Sequence, residues 1–274
     1  MTFNQNNNNK MELNKQNTPA SEKSSSFFEE IKSLFLIVMC ALLIRTFVLE
    51  IFHIPTGSMK ASILEGDYIF STKYDYGFSK YSFPFSPNIF QGRIFKTEPT
   101  PGDVIIMRPP HNMQQRYIKR LIAIPGDKVQ IIDNLIYIND KPITRKREGS
   151  FVTDQGYELQ RFKETLPSGI SYYTYKSTEP NANPFIDRDN FGPYYVESDR
   201  YFFLGDNRDN SGDSRYQLGT VPSENFIAKG HFVFFSAKLI LWDATTSFTE
   251  QIARVWYWIK SIRLKRTFTS LYEA

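Results

Sequence analysis

The sequence predicts a mainly β protein, in which an N-terminal transmembrane helix precedes a β domain carrying an inserted β-rich subdomain. Three observations carry this expectation. The 274-residue chain has a single long apolar stretch, close to its N-terminus. Beyond it, short runs rich in Val, Ile, Tyr and Phe alternate with Gly-Asp and Asn-Asp turns, and helical periodicity is scarce. Aromatic residues make up 16% of the chain, a bias that favours strands.

Composition narrows the function classes. A net charge of +4 gives nucleic-acid binding no support. Cys40 is the only cysteine, which excludes an intrachain disulfide and leaves no Cys/His cluster for zinc. His53, His111 and His231 are scattered, so the usual parts of a metal site or a Ser-His-Asp triad are missing. We expect neither metal nor cofactor.

Residues 1–30 are rich in Asn, Lys, Gln and Ser and read as a disordered tail. Residues 31–52 read as a membrane anchor. Their core, Leu34–Ile44, has no polar side chain, and with its flanks it reaches about 20 residues, roughly the hydrocarbon thickness of a bilayer. A cleaved signal peptide fits less well, because a long, partly acidic tail precedes the run and no small-x-small site follows. A soluble core helix fits less well because the run has no polar face. Arg45 and Glu50 are placed where long side chains can snorkel to the interface.

The remainder reads as β in three blocks: residues 53–144, an insert at 145–195, and 196–250. Asp67–Ser71, Val104–Met107, Arg116–Ile124, Lys128–Ile132, Tyr201–Leu204 and His231–Leu241 have strand character. Leu135–Ile143 reads as a hairpin turning at Asn139-Asp140. Residues 74–100 are aromatic and broken by Pro84, Pro87 and Pro99, which suits an irregular extension. The insert is polar and Tyr-rich. Residues 251–274 mix Arg254, Lys260, Arg263, Lys265 and Arg266 with Trp256, Tyr257 and Trp258, which suits either a membrane-interface segment or a surface helix with a basic face.

Three stretches could carry chemistry. In Phe52–Met59, Pro55 fixes φ and Gly57 relaxes it, so the turn can present Ser58 on an otherwise extended backbone. In Arg116–Ile122, strand periodicity puts Lys119 on one face between Tyr117 and Leu121, with Arg120 on the other. A lysine among apolar neighbours is pushed towards its neutral form, which can take a proton from a serine hydroxyl. The plainer reading of Lys119 is a snorkelling edge lysine; Lys60 competes as a base because it lies close to Ser58. Gly205–Arg215 packs carboxylates, amides and arginines together. It does not keep the EF-hand spacing, since Arg208 occupies a ligand position, and a self-satisfying network of Arg–carboxylate pairs explains it better. Ser211 could then donate to a buried amine.

Together these stretches resemble the bacterial type I signal peptidases, membrane-anchored serine proteases that remove signal peptides. Pro55-Thr56-Gly57-Ser58-Met59 resembles the family's nucleophile box, Tyr117-Ile118-Lys119-Arg120 with Pro125-Gly126-Asp127 its general-base box, and Gly205–Arg215 its final box. Gly66-Asp67 and Pro101-Gly102-Asp103-Val104 resemble its intervening turns. The resemblance covers about half the chain, in order, and implies that the β domain is an antiparallel β catalytic domain with the insert as a β subdomain. It implies a Ser58 nucleophile, a Lys119 general base, and an oxyanion hole from the Ser58 N–H and the Thr56 hydroxyl. It implies that Ser211 orients the Lys119 amine, that Asp213 and Arg215 give structural support, and that Phe52, Ile54, Met59, Ile63 and Ile118 line shallow pockets for small residues. It also implies preproteins and the lipid bilayer as partners, and a single-pass protein of the bacterial cytoplasmic membrane whose catalytic domain faces outwards. Two departures stand out: Ala61-Ser62 where many members have Pro-Thr, and Thr56 in place of the commoner serine.

Two other readings compete. A self-cleaving repressor-like peptidase would share the Ser/Lys logic, but it calls for a DNA-binding module and no anchor. A membrane-anchored β scaffold without catalysis would make Ser58 and Lys119 dispensable.

Overall fold

The computed structural model describes residues 20–153, 156–178, 187–239 and 248–272. It divides into two units, one ending at Leu43 and the other running from Ile44 onwards. The first is the body of helix α1 (Ala20–Phe47). Leu34–Ile37 are each about 62% exposed, and Leu42, Leu43 and Ile44 about half exposed, so the apolar run has no buried side. No helix among the described residues is long and apolar enough to cross a membrane; Glu30 and Lys32 before the run and Arg45 after it confine its uncharged length. Residues 20–30, expected as part of the tail, are helical, and residues 1–19 lie outside the described residues.

The second unit is β. Its strands are β1 (Leu49–His53), β2 (Asp67–Thr72), β3 (Val104–Met107), β4 (Tyr117–Ala123), β5 (Lys128–Ile132), β6 (Leu135–Ile138), β7 (Lys141–Pro142), β8 (Thr144–Val152), β9 (Glu158–Thr165), β10 (Ser171–Ser177), β11 (Phe191–Tyr195), β12 (Arg200–Leu204), β13 (Val221–Pro222) and β14 (Phe226–Ser236). Helix α2 (Phe248–Lys260) follows. All named strand pairs are antiparallel. A seven-stranded sheet runs β1-β2-β14-β3-β4-β12-β13, a four-stranded sheet β11-β5-β6-β7, and a three-stranded sheet β10-β9-β8.

The strand runs fall close to their expected places because each buries Val, Ile or Phe against its neighbours. Val104, Ile106, Ile118, Ile69 and Val233 form one core with Phe52 and Ile54. Ile122, Val129, Ile131, Ile136 and Phe202 form a second. The turn between β6 and β7 has Asn139 and Asp140 both at positive φ, as a tight hairpin demands.

Several expectations are corrected. The segment read as one anchor to residue 52 splits, because the helix ends at Phe47 and Leu49–His53 pairs with β2 as an edge strand. Glu50 therefore does not reach for an interface: it is buried in β1, 2.8 Å from Lys73 and 3.3 Å from Arg116. The block read as one insert supplies β8–β10 to their own sheet but gives β11 to β5. Strand β14 starts at Phe226, ahead of the expected His231, and ends at Ser236; residues 240–241 lie outside the described residues. The C-terminal segment holds the short helix α2 and then returns to the body. Val233 N–H donates to the Thr269 carbonyl at 2.9 Å, Leu271 N–H to the His231 carbonyl at 3.0 Å, and Leu271 joins the first core. Two of its cations are not free for lipid: Arg263 and Arg266 converge on the fully buried Asp67, at 3.3 and 2.7 Å.

Asp67 also accepts from Leu64 N–H at 2.8 Å and the Ser236 hydroxyl at 2.7 Å. Replacing it removes the acceptor for both guanidiniums at once. We expect Asp67→Ala to lose about 3 kcal/mol of stability, read as a lower unfolding midpoint, and limited proteolysis to cut first within residues 262–272.

Candidate active site

The site is assembled from two loops and one strand. After β1, Thr56 is extended at φ −130° and ψ 150°, and Gly57–Met59 forms a single 3₁₀ turn. Backbone bonds pin both ends of this stretch. Ile54 N–H donates to the Asp67 carbonyl at 2.9 Å, Gly66 N–H to Ile54 at 2.9 Å, and Ile63 N–H to Met59 at 2.7 Å. Met59 and Ile63 are fully buried and act as the anchor that holds the turn down on the core. Ser58 is thereby lifted into an open cleft of about 720 Å³.

Strand β4 brings Lys119 to the same cleft. It pairs with Ile105 of β3 and is only 4% exposed. Its Nζ is 2.7 Å from Ser58 Oγ and donates to the Ile118 carbonyl at 3.1 Å. The Tyr117 ring lies 5.3 Å away. Burial pushes the Lys119 amine down to about 8, against the opposing pull of Asp213 and Asp206. At that value a substantial fraction is neutral in mildly alkaline solution, and a neutral amine can accept the Ser58 proton. Lys60, the competing base, does not line the cleft.

The polar run Gly205–Arg215 forms the facing wall. Asp213 is fully buried and accepts from Arg215 Nε and a terminal Arg215 N–H, both at 2.9 Å, and from Gly205 N–H at 3.1 Å. Burial alone would raise its carboxyl, but the Arg215 guanidinium and these hydrogen bonds outweigh it and hold the group below the usual range. Ser211 is buried beside this network, yet its hydroxyl makes no hydrogen bond to Lys119 or to any other described residue. The expected orienting contact is therefore absent from this arrangement: the hydroxyl is turned against Gly205, where an added Cβ would collide with it.

Of the five residues expected to line apolar pockets, Phe52, Ile54 and Ile118 do line the cleft. Met59 and Ile63 do not, because packing beneath the turn consumes their whole surface. Thr56 lines the cleft and its hydroxyl does not cap the turn. Sequence reasoning missed Asn207, whose side chain donates to the Gly57 carbonyl and whose N–H donates to the Ser58 carbonyl, both at 3.0 Å. It also missed His53, Glu65, Gln115, Arg116, Asn210 and Gln217 on the cleft walls. Only Asn207 and Asn210 carried any signal, by their place in the polar run.

A serine hydroxyl held against a buried amine at the bottom of an open cleft is the equipment of a serine hydrolase. Comparison with known proteins agrees. Residues 27–235 match the family model described as "Signal peptidase, peptidase S26". "Signal peptidase I" of Rickettsia massiliae (strain Mtu5) is 52% identical over 244 residues, covering 87% of this chain and 91% of that protein. The protein of the same name in Rickettsia canadensis (strain McKiel) is 52% identical over 249 residues, covering 89% and 94%. That of Rickettsia typhi (strain ATCC VR-144 / Wilmington) is 48% identical over 265 residues, covering 95% and 99%. The chain belongs to the signal peptidase family, peptidase S26, and is a serine endopeptidase.

The lowered Lys119 value has a consequence for stability. The unfolded chain binds the lysine proton up to about pH 10.4, whereas the folded protein releases it near 8, so the buried amine costs stability fully below pH 8 and not at all above the unfolded value. We expect Lys119→Met to be more stable than wild type at pH 7, by on the order of 2 kcal/mol once the lost Lys119–Ser58 hydrogen bond is counted. The gap should close as pH rises towards 10.5. Thermal unfolding across that range measures it.

Proposed function

We propose that this chain is a membrane-bound endopeptidase that removes N-terminal signal peptides from exported preproteins, using Ser58 as nucleophile and Lys119 as general base through an acyl-enzyme. The observation that carries the reading is the 2.7 Å approach of Lys119 Nζ to Ser58 Oγ inside a site whose burial brings the amine down to about 8.

The chemistry runs in two halves. Neutral Lys119 takes the Ser58 proton as Oγ attacks the scissile carbonyl. The developing oxyanion accepts from the Ser58 N–H and the Thr56 hydroxyl. The Lys119 ammonium then gives its proton to the leaving amine, freeing the mature protein and leaving the signal peptide esterified to Ser58. A water, deprotonated by Lys119, attacks the ester and restores the enzyme. Neither half calls for a metal or cofactor. Phe52, Ile54 and Ile118 offer a shallow apolar wall to small residues before the scissile bond. Asp213 and Arg215 hold the facing wall, and Ser211 stands beside it.

The anchor belongs to the same proposal. The run Leu34–Ile44 is apolar on every side and exposed on every side. With its flanks it would tether the β domain to the cytoplasmic membrane, residues 1–30 remaining inside and the catalytic domain outside. A substrate whose own apolar segment stays in that bilayer would meet the cleft at raised effective concentration. The partners are then preproteins and lipid, with no nucleic acid.

Two measurements test the reading. In detergent with EDTA present, the wild type should cut a preprotein bearing an Ala-x-Ala site, while Ser58→Ala and Lys119→Ala should fall by at least about a thousandfold. Near-wild-type cutting by Lys119→Ala would remove the dyad. Separately, kcat/KM should rise with pH through a midpoint near 8, because the free enzyme is active only with Lys119 neutral. A profile flat from pH 6 to 10 would contradict the assignment of the base.

A further inference from the structure

The insert takes no part in the chemistry above, yet its strands reach the loop that holds the nucleophile turn. Strand β10 lies along the loop that carries Asn207. Tyr175 N–H donates to the Asp206 carbonyl at 2.8 Å and Arg208 N–H to the Tyr175 carbonyl at 3.0 Å, a parallel bridge that sets Asn207 opposite Tyr175. Side chains fasten the same loop. Buried Arg208 forks onto both oxygens of Glu164 in β9, one of them at 3.1 Å. Lys176 of β10 donates to Asp209 at 2.9 Å. Glu164 has no exposed surface and also accepts from the Thr174 hydroxyl at 3.2 Å.

Asn207, gripped in this way, grips the catalytic turn. Its side-chain amide donates to the Gly57 carbonyl at 3.0 Å. The Gly57–Ser58 peptide is trans, so that carbonyl and the Ser58 N–H point in opposite directions in one rigid plane. Fixing the carbonyl aims the N–H. That N–H is the backbone donor assigned to the oxyanion.

We propose that the insert is a positioning element for the reaction and that Glu164 is its positioning residue, acting through Arg208 and Asn207 to aim the Ser58 N–H at the developing oxyanion. The inference rests on the endopeptidase reading above. An oxyanion donor matters most in the transition state, so misaiming it lowers kcat and leaves KM nearly unchanged. The Lys119–Ser58 contact is made by β4, so the pH midpoint should not move.

The test is steady-state cleavage of an Ala-x-Ala preprotein by full-length wild type, Glu164→Gln, Glu164→Asp, Lys176→Met and Ser58→Ala, with rates normalised to the folded fraction. Glu164→Gln should lower kcat about tenfold with KM within about twofold and the same pH midpoint. Glu164→Asp, which keeps the charge that holds Arg208, should recover most of the loss. Wild-type kcat in folded Glu164→Gln, or a loss that appears in KM instead, or no recovery by aspartate, would overturn the inference. Should Glu164→Gln fail to fold, Lys176→Met decides: it touches only partly exposed pairs. About threefold lower kcat at constant KM would support the inference, and unchanged kcat would overturn it. Wild type and Ser58→Ala cutting alike would overturn the endopeptidase reading and this inference together. That result is distinct from Glu164→Gln matching wild type while Ser58→Ala is dead.

Discussion

The buried guanidinium of Arg120 is the interaction on which the catalytic frame depends. It has no exposed surface, and an unpaired cation there would be prohibitively costly, so every donor has to find an acceptor. Nε and one terminal nitrogen fork onto Asp206 at 2.9 and 2.7 Å. The other terminal nitrogen donates to the Gly102 carbonyl at 2.9 Å. The remaining contacts reach the Ser62 hydroxyl and the Leu271 carbonyl, both at 3.2 Å, and the Tyr172 ring lies 4.3 Å away. One side chain of β4 thus ties together the segment after the nucleophile turn, the polar loop, the insert and the C-terminal segment.

Strand alternation makes this a catalytic matter. Arg120 faces that network because its neighbour Lys119 faces the cleft. Each nearby carboxylate is paired with an arginine: Asp206 with Arg120, and Asp213 with Arg215. Both carboxylates still favour a protonated Lys119, but each is already compensated by a guanidinium. Burial therefore wins at the lysine, and the amine comes down to about 8. A carboxylate free of its arginine in the same place would fix the proton on Lys119 and remove the base.

Close approach of the polar loop to the nucleophile turn depends on Gly205. A Cβ there would lie 2.6 Å from the Ser58 carbonyl and would push the loop away from Ser58, loosening the Asn207 contacts. The turn is thus held from beneath by Met59 and Ile63 and from the side by Asn207, with the hydroxyl left open to the cleft.

The sequence alone determined the local features: the apolar run, the apolar strands on either side of the insert such as Val104–Met107 and Tyr117–Ala123, the Asn139-Asp140 hairpin, the exposed turn at Ser58 and the alternation that separates Lys119 from Arg120. Each depends on side-chain period or turn chemistry over a few residues, which is what a sequence displays directly. It also pointed to Ser58 and Lys119, though only together with the final polar run. Tertiary structure decided what depends on distant partners. It made residues 49–53 an edge strand rather than the end of an anchor, because β2 supplies hydrogen bonds that an isolated apolar run does not reveal. It turned Glu50 inwards to Lys73 and sent Arg263 and Arg266 to Asp67, since a charge shows no partner until the chain folds back. It withdrew Met59 and Ile63 from the cleft wall, and it gave Asn207 its grip on Gly57. Burial and pairing are properties of neighbours in space, and most of these neighbours lie many residues apart along the chain.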